Sequence, residues 1–235
     1  MQRSPANLPA ARHAAGAAPD PAGPARQRIV HAATREFAER GYDGARIDAI
    51  GRAAGVNKAL LYYYFPSKLE LYRGLVLEHI AAAGRRLAAA ADDARPARDV
   101  IPRMIEALVD LGAHRPAVPL LLVREILNGW GHLRDEDFPV LLGTARPIAE
   151  TVARGVAAGE FRPVPPLYVH LLIMGAMNFF FVSATARARG SRVTGQPDID
   201  PDPRAFAHFI SAIVVRGLAR DAADASPTPN PGASA

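Results

Sequence analysis

Lys58, Ala59, Tyr62 and Tyr63 fall on one side of a short helix that starts at Asn57 and must end before Pro66. A cation near the helix start and phenol hydroxyls along the same side form a donor surface for phosphate oxygens. The tyrosine rings can also lie against sugars or thymine methyl groups, and Ala59 lets a backbone approach closely. No nucleophile–base pair accompanies them, so the surface suits gripping rather than turnover. Leu61, Tyr64 and Phe65 gather on the other side with Val56, where they can pack on Phe37, Ile47 and Ile50. Lys58 and Lys68 are the only lysines in the chain; the other basic side chains are arginine or histidine.

Four helices must position this surface. The first runs from about Ala25 to Arg40, with Ile29, Ala33 and Phe37 at i, i+4 and i+8, and Gly41 closes it. The second covers Ile47 to Ala54, and Gly55 supplies a tight turn because it tolerates positive φ. Asn57 is a favourable N-cap for the third. Ser67 and Glu70 have capping-box spacing for the fourth, which continues to about Asp92. Lys68 lies in its first turn, where free N–H groups also attract phosphate. A helix, a glycine turn and a second helix with a shared apolar inner face is the helix-turn-helix pattern.

The run Ile29, Ala32-Ala33, Phe37, Gly41-Tyr42, Ile47, Ile50, Ala53-Ala54-Gly55-Val56, Leu61-Tyr62, Phe65 and Lys68 resembles the N-terminal domain of the TetR family of bacterial transcriptional regulators. The likeness spans residues 23–83 without insertion and places the helix-turn-helix at 46–65. Arg46 stands where family members often carry Thr, Gly51 where Ala is common, Asn57 where Ser or Thr caps, and Tyr64 where His is frequent. The resemblance implies DNA contact by Arg46, Asn57, Lys58, Ala59, Leu60, Tyr62, Tyr63 and Lys68. It also implies an all-α fold in which this three-helix domain precedes a helical ligand-binding and dimerisation domain at 84–221.

For that second unit the pattern predicts helices at about 97–113, 118–129, 137–158, 166–189 and 203–220, with Pro and Gly at the joints. Asp202-Pro203 reads as an N-cap and first-turn pair. Helix 166–189 is apolar nearly all round and must be covered on more than one side. Family layout implies a homodimer, for which Phe179, Phe180, Phe206, Phe209, Ile210, Ile213 and Val214 are the interface candidates. Candidates for a small apolar or aromatic effector are Met104, Leu108, Leu122, Arg124, Asn128, Trp130, Met174, Met177, Asn178 and Phe181. Glu125 belongs either to that set or to a surface pair with Arg124, and Arg124 could meet a carboxylate.

The 235 residues carry a formal net charge of +5, and residues 23–83 hold nine Lys and Arg against six Asp and Glu. That permits a polyanionic partner without requiring one. The chain has no cysteine, which excludes disulfides and thiol catalysis and fits a reducing cytoplasm. No P-loop, Rossmann glycine pattern or nucleophile elbow occurs, and no two histidines stand at metal-ligand spacing, so no enzyme, cofactor or metal is expected. Asp198-Ile-Asp200-Pro-Asp202 imitates the start of a calcium loop, but Pro203 stands where that loop needs Gly; it reads as a linker and helix cap. Residues 1–24 and 222–235 are Ala/Pro-rich and read as disordered ends. The run Leu171–Ala186 falls short of the ~20 residues of a membrane span. The rival class is a helical interaction protein that keeps this fold without binding DNA.

Overall fold

The computed structural model describes residues 22–220, and every regular element among them is helical. In chain order these are α1 (Ala22–Gly44), α2 (Ile47–Ala54), α3 (Lys58–Tyr64), α4 (Lys68–Ala90), α5 (Ala97–His114), α6 (Ala117–Leu127), α7 (Phe138–Leu142), α8 (Ala145–Ala157), α9 (Pro166–Val182), α10 (Ala184–Thr194) and α11 (Pro203–Leu218). Single 3-10 turns, Asp135–Asp137 and Pro197–Ile199, precede α7 and α11. α1 starts at Ala22, so residues 22–24, expected in the N-terminal arm, belong to the helix. Residues 1–21 of that arm and 222–235 of the tail lie outside the described residues.

α1 to α3 follow the sequence pattern closely. Gly41 breaks the helical course of α1 at φ 71, a left-handed value that glycine adopts without a Cβ clash. Gly55 caps α2 at φ 65. Gly51 has a local reason: a Cβ there would stand 3.2 Å from the Val56 carbonyl, while the Val56 amide donates to the Gly51 carbonyl at 3.0 Å. A side chain would strain the turn between α2 and α3.

Two expected helices are each broken in two. The 137–158 segment stops at Leu142 and restarts at Ala145, because Pro147 has no N–H to offer the Gly143 carbonyl, and the Thr144 hydroxyl bonds the Leu141 carbonyl at 3.2 Å instead. The 166–189 segment bends by 54° at Ser183. There the Ser183 hydroxyl donates to the Phe179 carbonyl at 2.6 Å, beside the Ser183 amide at 3.0 Å, and Arg187 donates to the Phe180 carbonyl, so side-chain donors crowd the carbonyls at the bend. α10 then extends to Thr194, beyond the expected end at 189. No single helix among the described residues is long and apolar enough to cross a membrane.

Two apolar cores share α4. The first gathers Ile29, Ala33 and Phe37 of α1, Ile50 of α2, Leu61 of α3 and Leu71, Leu75 and Ile80 of α4. The second starts with Ala83 and Leu87 farther along α4 and continues through α5, α8, α9 and α11. Leu121 of α6 is buried in the first core, and Leu122, Trp130, Leu133 and Leu141 pack against it. Helix α6 and the loop after it therefore sit on the N-terminal unit, although sequence order puts them in the C-terminal one.

Candidate nucleic-acid interface

α3 is held from both ends and from beneath. The Asn57 side chain accepts the Leu60 amide at 2.8 Å, satisfying one of the free N–H groups of the first turn. Leu61 is fully buried and Phe65 nearly so, which fixes the rotation of the helix. The outer side is then Lys58, Ala59, Tyr62 and Tyr63, all exposed, with Tyr63 at 78% and Tyr62 at 39%. Leu60 is half-buried. Tyr64 is also half-buried, packed against the first core and edge-on to Tyr63 at 5.3 Å between ring centres. The partition expected from the helical wheel is the one observed.

The cations around this surface differ in their present bonds. Lys58 Nζ lies 3.4 Å from the Asp48 carboxylate, with both side chains well exposed. Such a pair is weak and readily exchanged for a phosphate. Arg46 is exposed at the start of α2. Its side chain makes no capping bond, but its amide donates to Glu36 Oε1 at 3.2 Å, which ties the start of α2 to α1. Lys68 donates to the Asp43 carbonyl at 3.2 Å and lies 4.8 Å from the centre of the Tyr42 ring. It thus fastens the start of α4 to the end of α1. Ser67 caps α4 by accepting the Glu70 amide at 3.1 Å, but the reciprocal half of the box is not made: the Glu70 carboxylate takes Arg134 at 2.6 Å and Arg73 at 3.5 Å.

The family model for "Bacterial regulatory proteins, tetR family" matches residues 29–75, which contain α2, α3 and their packing partners. The chain is 29% identical over 201 residues to the transcriptional repressor NicS of Pseudomonas putida, covering 83% of this chain and 92% of that one. It is 27% identical over 155 residues to the transcriptional regulator RutR of Escherichia coli, covering 66% and 73%. A solved tetR-family regulatory protein from Rhodococcus superposes with a TM-score of 0.68 at 20% identity, covering 84% of this chain and 98% of that one. The chain carries the TetR-family DNA-binding domain at residues 29–75. It is a DNA-binding transcriptional regulator.

Behind α3, the chain has a polar joint that sequence reading missed. Arg124, expected at an effector, instead donates to the carbonyl of Ala38 at 2.9 Å and of Glu39 at 3.3 Å. Its guanidinium caps the open carbonyls near the end of α1, where a cation is favoured. Glu125, expected in a pocket or a surface pair, is wholly buried. Its carboxylate accepts the Tyr72 hydroxyl at 2.9 Å, the His132 amide at 3.0 Å and His132 Nδ1 at 2.8 Å. Burial and the adjacent Glu125 carboxylate raise the Tyr72 pKa, so the phenol keeps its proton. Gly129 and Trp130 both adopt left-handed angles, φ 64 and 61, and this turn brings His132 back onto Glu125. A tryptophan there is strained by roughly 1 kcal/mol or more. Tyr42 closes the joint against the rings of Tyr72 and His132. A second tie lies nearby, where Arg73 forks onto Asp137 at 2.5 and 2.6 Å and holds that carboxyl below the usual range.

The remaining effector candidates divide between the two cores. Met104, Leu108 and Met177 are buried in the second, with Met174 and Phe181 packed against it. Asn178 is half-buried on the same helix as Met174 and Phe181. Leu122 and Trp130 pack on the first core, and Asn128 is exposed, 3.0 Å from His132 Nδ1. Leu122, Arg124, Asn128 and Trp130 are therefore parts of the joint. The Phe181 ring is pressed against Gly112 of α5, where a Cβ would fall 2.3 Å from it.

The interface candidates also divide. Phe180 and Val214 are buried at 5% and 3%, and Phe180 stacks on Phe206 at 4.1 Å within the subunit. Phe206 and Ile210 pack against the second core. Phe179, Phe209 and Ile213 remain exposed, joined by Leu167, Tyr168, Leu171 and Leu172 of α9. α9 is apolar nearly all round, so periodicity alone could not tell its inner face from its outer one.

Proposed function

We propose that the chain is a homodimeric, ligand-responsive repressor that places one α3 per subunit in the major groove of a palindromic operator. The observation that carries this reading is the polarity of α3: its apolar side is spent on the first core, while Lys58, Ala59, Tyr62 and Tyr63 stand exposed on a capped helix. The likeness to a relative named as a repressor supports the sign of the output.

Dimerisation is supported by the outer faces of α9 and α11. Phe179 at 75% and Phe209 at 60% exposure, with Leu171, Leu172 and Ile213, form an apolar surface that a second copy of the same face would cover. Effector binding belongs to the second core. Its effect on DNA passes through α4, shared by both cores, and through the α6 joint, where Arg124 and Glu125 grip α1 and α4. A ligand that favours one arrangement of α6 and α4 over another changes the spacing of the two recognition helices.

The test is a mobility-shift assay at low salt with the DNA upstream of the protein's own reading frame. A retarded, competitor-resistant complex is expected. Absence of any complex with this DNA, with or without added small molecules, removes the reading.

A further inference from the structure

One stripe of α9 carries two polar side chains that make no protein hydrogen bond. His170, Met174 and Asn178 follow at i, i+4 and i+8, between the buried face of Val169, Ile173 and Met177 and the exposed face of Leu171, Leu172 and Phe179. His170 Nδ1 is buried without a partner. Among the described residues the half-buried Asn178 amide also engages no hydrogen-bond partner. A buried polar atom without a partner is destabilising, so His170 Nδ1 calls for a bonding partner, while the partly exposed Asn178 amide keeps its donors and acceptor open to one. One residue past the next turn, Phe181 lies in the notch left by Gly112. The stripe spans about 12 Å along the helix axis.

Arg124, expected at an effector, and Arg187 of α10 are both engaged elsewhere. Arg124 is committed to the α1 carbonyls, and Arg187 to the Phe180 carbonyl, the Ser183 hydroxyl and Asp200. We infer that His170 and Asn178 are the polar anchors of the effector site and select a neutral, elongated, mainly apolar molecule with a hydrogen-bonding group near each end. This rests on the reading that the effector binds within the second core. Met174 between the anchors adapts to the apolar body. Burial lowers the His170 pKa, so the imidazole offers a hydrogen bond rather than a charge.

The probe is decane-1,10-diol, compared with 1-decanol and decanoate by calorimetry on the full-length protein and on His170→Leu and Asn178→Leu. The wild type binds the diol about tenfold more tightly than either comparison compound, and each substitution removes that advantage while leaving 1-decanol affinity unchanged. Unliganded His170→Leu melts at or above the wild-type temperature, because an unpartnered polar atom is gone, and its DNA affinity is unaltered. The inference is overturned if the diol does not bind, if decanoate binds as tightly, if either variant keeps wild-type diol affinity, or if His170→Leu melts lower. A diol that binds through both anchors without releasing DNA would sink the effector reading and leave the anchors standing.

Discussion

The Glu125 carboxylate on α6, wholly buried, accepts the Tyr72 hydroxyl of α4 at 2.9 Å. With Arg124 on the α1 carbonyls, this bond fixes the N-terminal unit to a helix that sequence order assigns to the other unit. A buried carboxylate is tolerated only when its oxygens are fully bonded, and the strained Gly129–Trp130 turn supplies two of the three donors through His132.

Tyr72→Phe keeps the ring and removes one donor from that carboxylate. It should lower unfolding free energy by about 1.5–3 kcal/mol, the range for a hydrogen bond to a charged group, as measured by urea denaturation. Combined with Glu125→Gln, the loss should be smaller than the sum of the two, because both act on one bond. Additive losses would mean the residues do not work as a unit.

Asn57 caps α3, the helix proposed to contact DNA. Asn57→Ala should cost about 1 kcal/mol of stability and weaken DNA binding, and Asn57→Ser should restore both. If Asn57→Ser restores stability but not affinity, Asn57 contacts DNA directly.

His79 gives the fold a pH dependence with a defined window. Thr34 donates its hydroxyl proton to the Val30 carbonyl at 2.8 Å, so it accepts from His79 Nε2 at 3.1 Å, and the buried ring is neutral. Burial, then the charge of Arg115, depresses its pKa to about 4 from 6.5. The unfolded chain therefore binds more protons between those values. Stability is complete above pH 6.5 and falls as pH drops toward 4, by about 3 kcal/mol at ~1.4 kcal/mol per pH unit. The depressed His170 adds a contribution of the same sign. Asp137, held low by Arg73, contributes fully above the ordinary carboxylate range and loses that contribution as the pH falls through it and below. His79→Gln should flatten the slope between pH 6.5 and 4 in urea melts; an unchanged slope contradicts the assignment.

The proposed dimer rests on the outer face of α9. Leu172→Arg with Phe179→Glu should convert a dimer of twice 25.0 kDa into a monomer by light scattering, leaving the helical content intact. Phe180→Ala should instead lower stability by about 3–5 kcal/mol, because that ring lies in the subunit core. A wild-type protein that scatters as a monomer at micromolar concentration overturns the dimer.

What the sequence revealed depended on local chemistry. Asn57, Ser67, Asp202 and the glycines 41 and 55 act within a few residues of themselves, so the caps and turns around α1 to α4 and α11 were legible. The inner and outer sides of α3 followed from one apolar stripe. The breaks at Gly143 and Ser183 depend on which donor reaches which carbonyl, and hydrophobic pattern does not encode that. Pro147, four residues past Gly143, was the one available signal. Arg124 and Glu125 acquire their roles from partners 86 and 53 residues away, at Ala38 and Tyr72, and nothing in their own neighbourhood announces them. α9 hid its two faces because both are apolar.

The most direct test of the account is the salt dependence of DNA affinity for the wild type and for Lys58→Ala with Tyr62→Ala. Fluorescence anisotropy on a fragment bound by the wild type should give a linear fall of log affinity with log salt. The double variant should bind at least tenfold more weakly, with a slope shallower by about one and an unchanged melting temperature. A variant with wild-type affinity and slope would show that α3 does not carry the DNA contact.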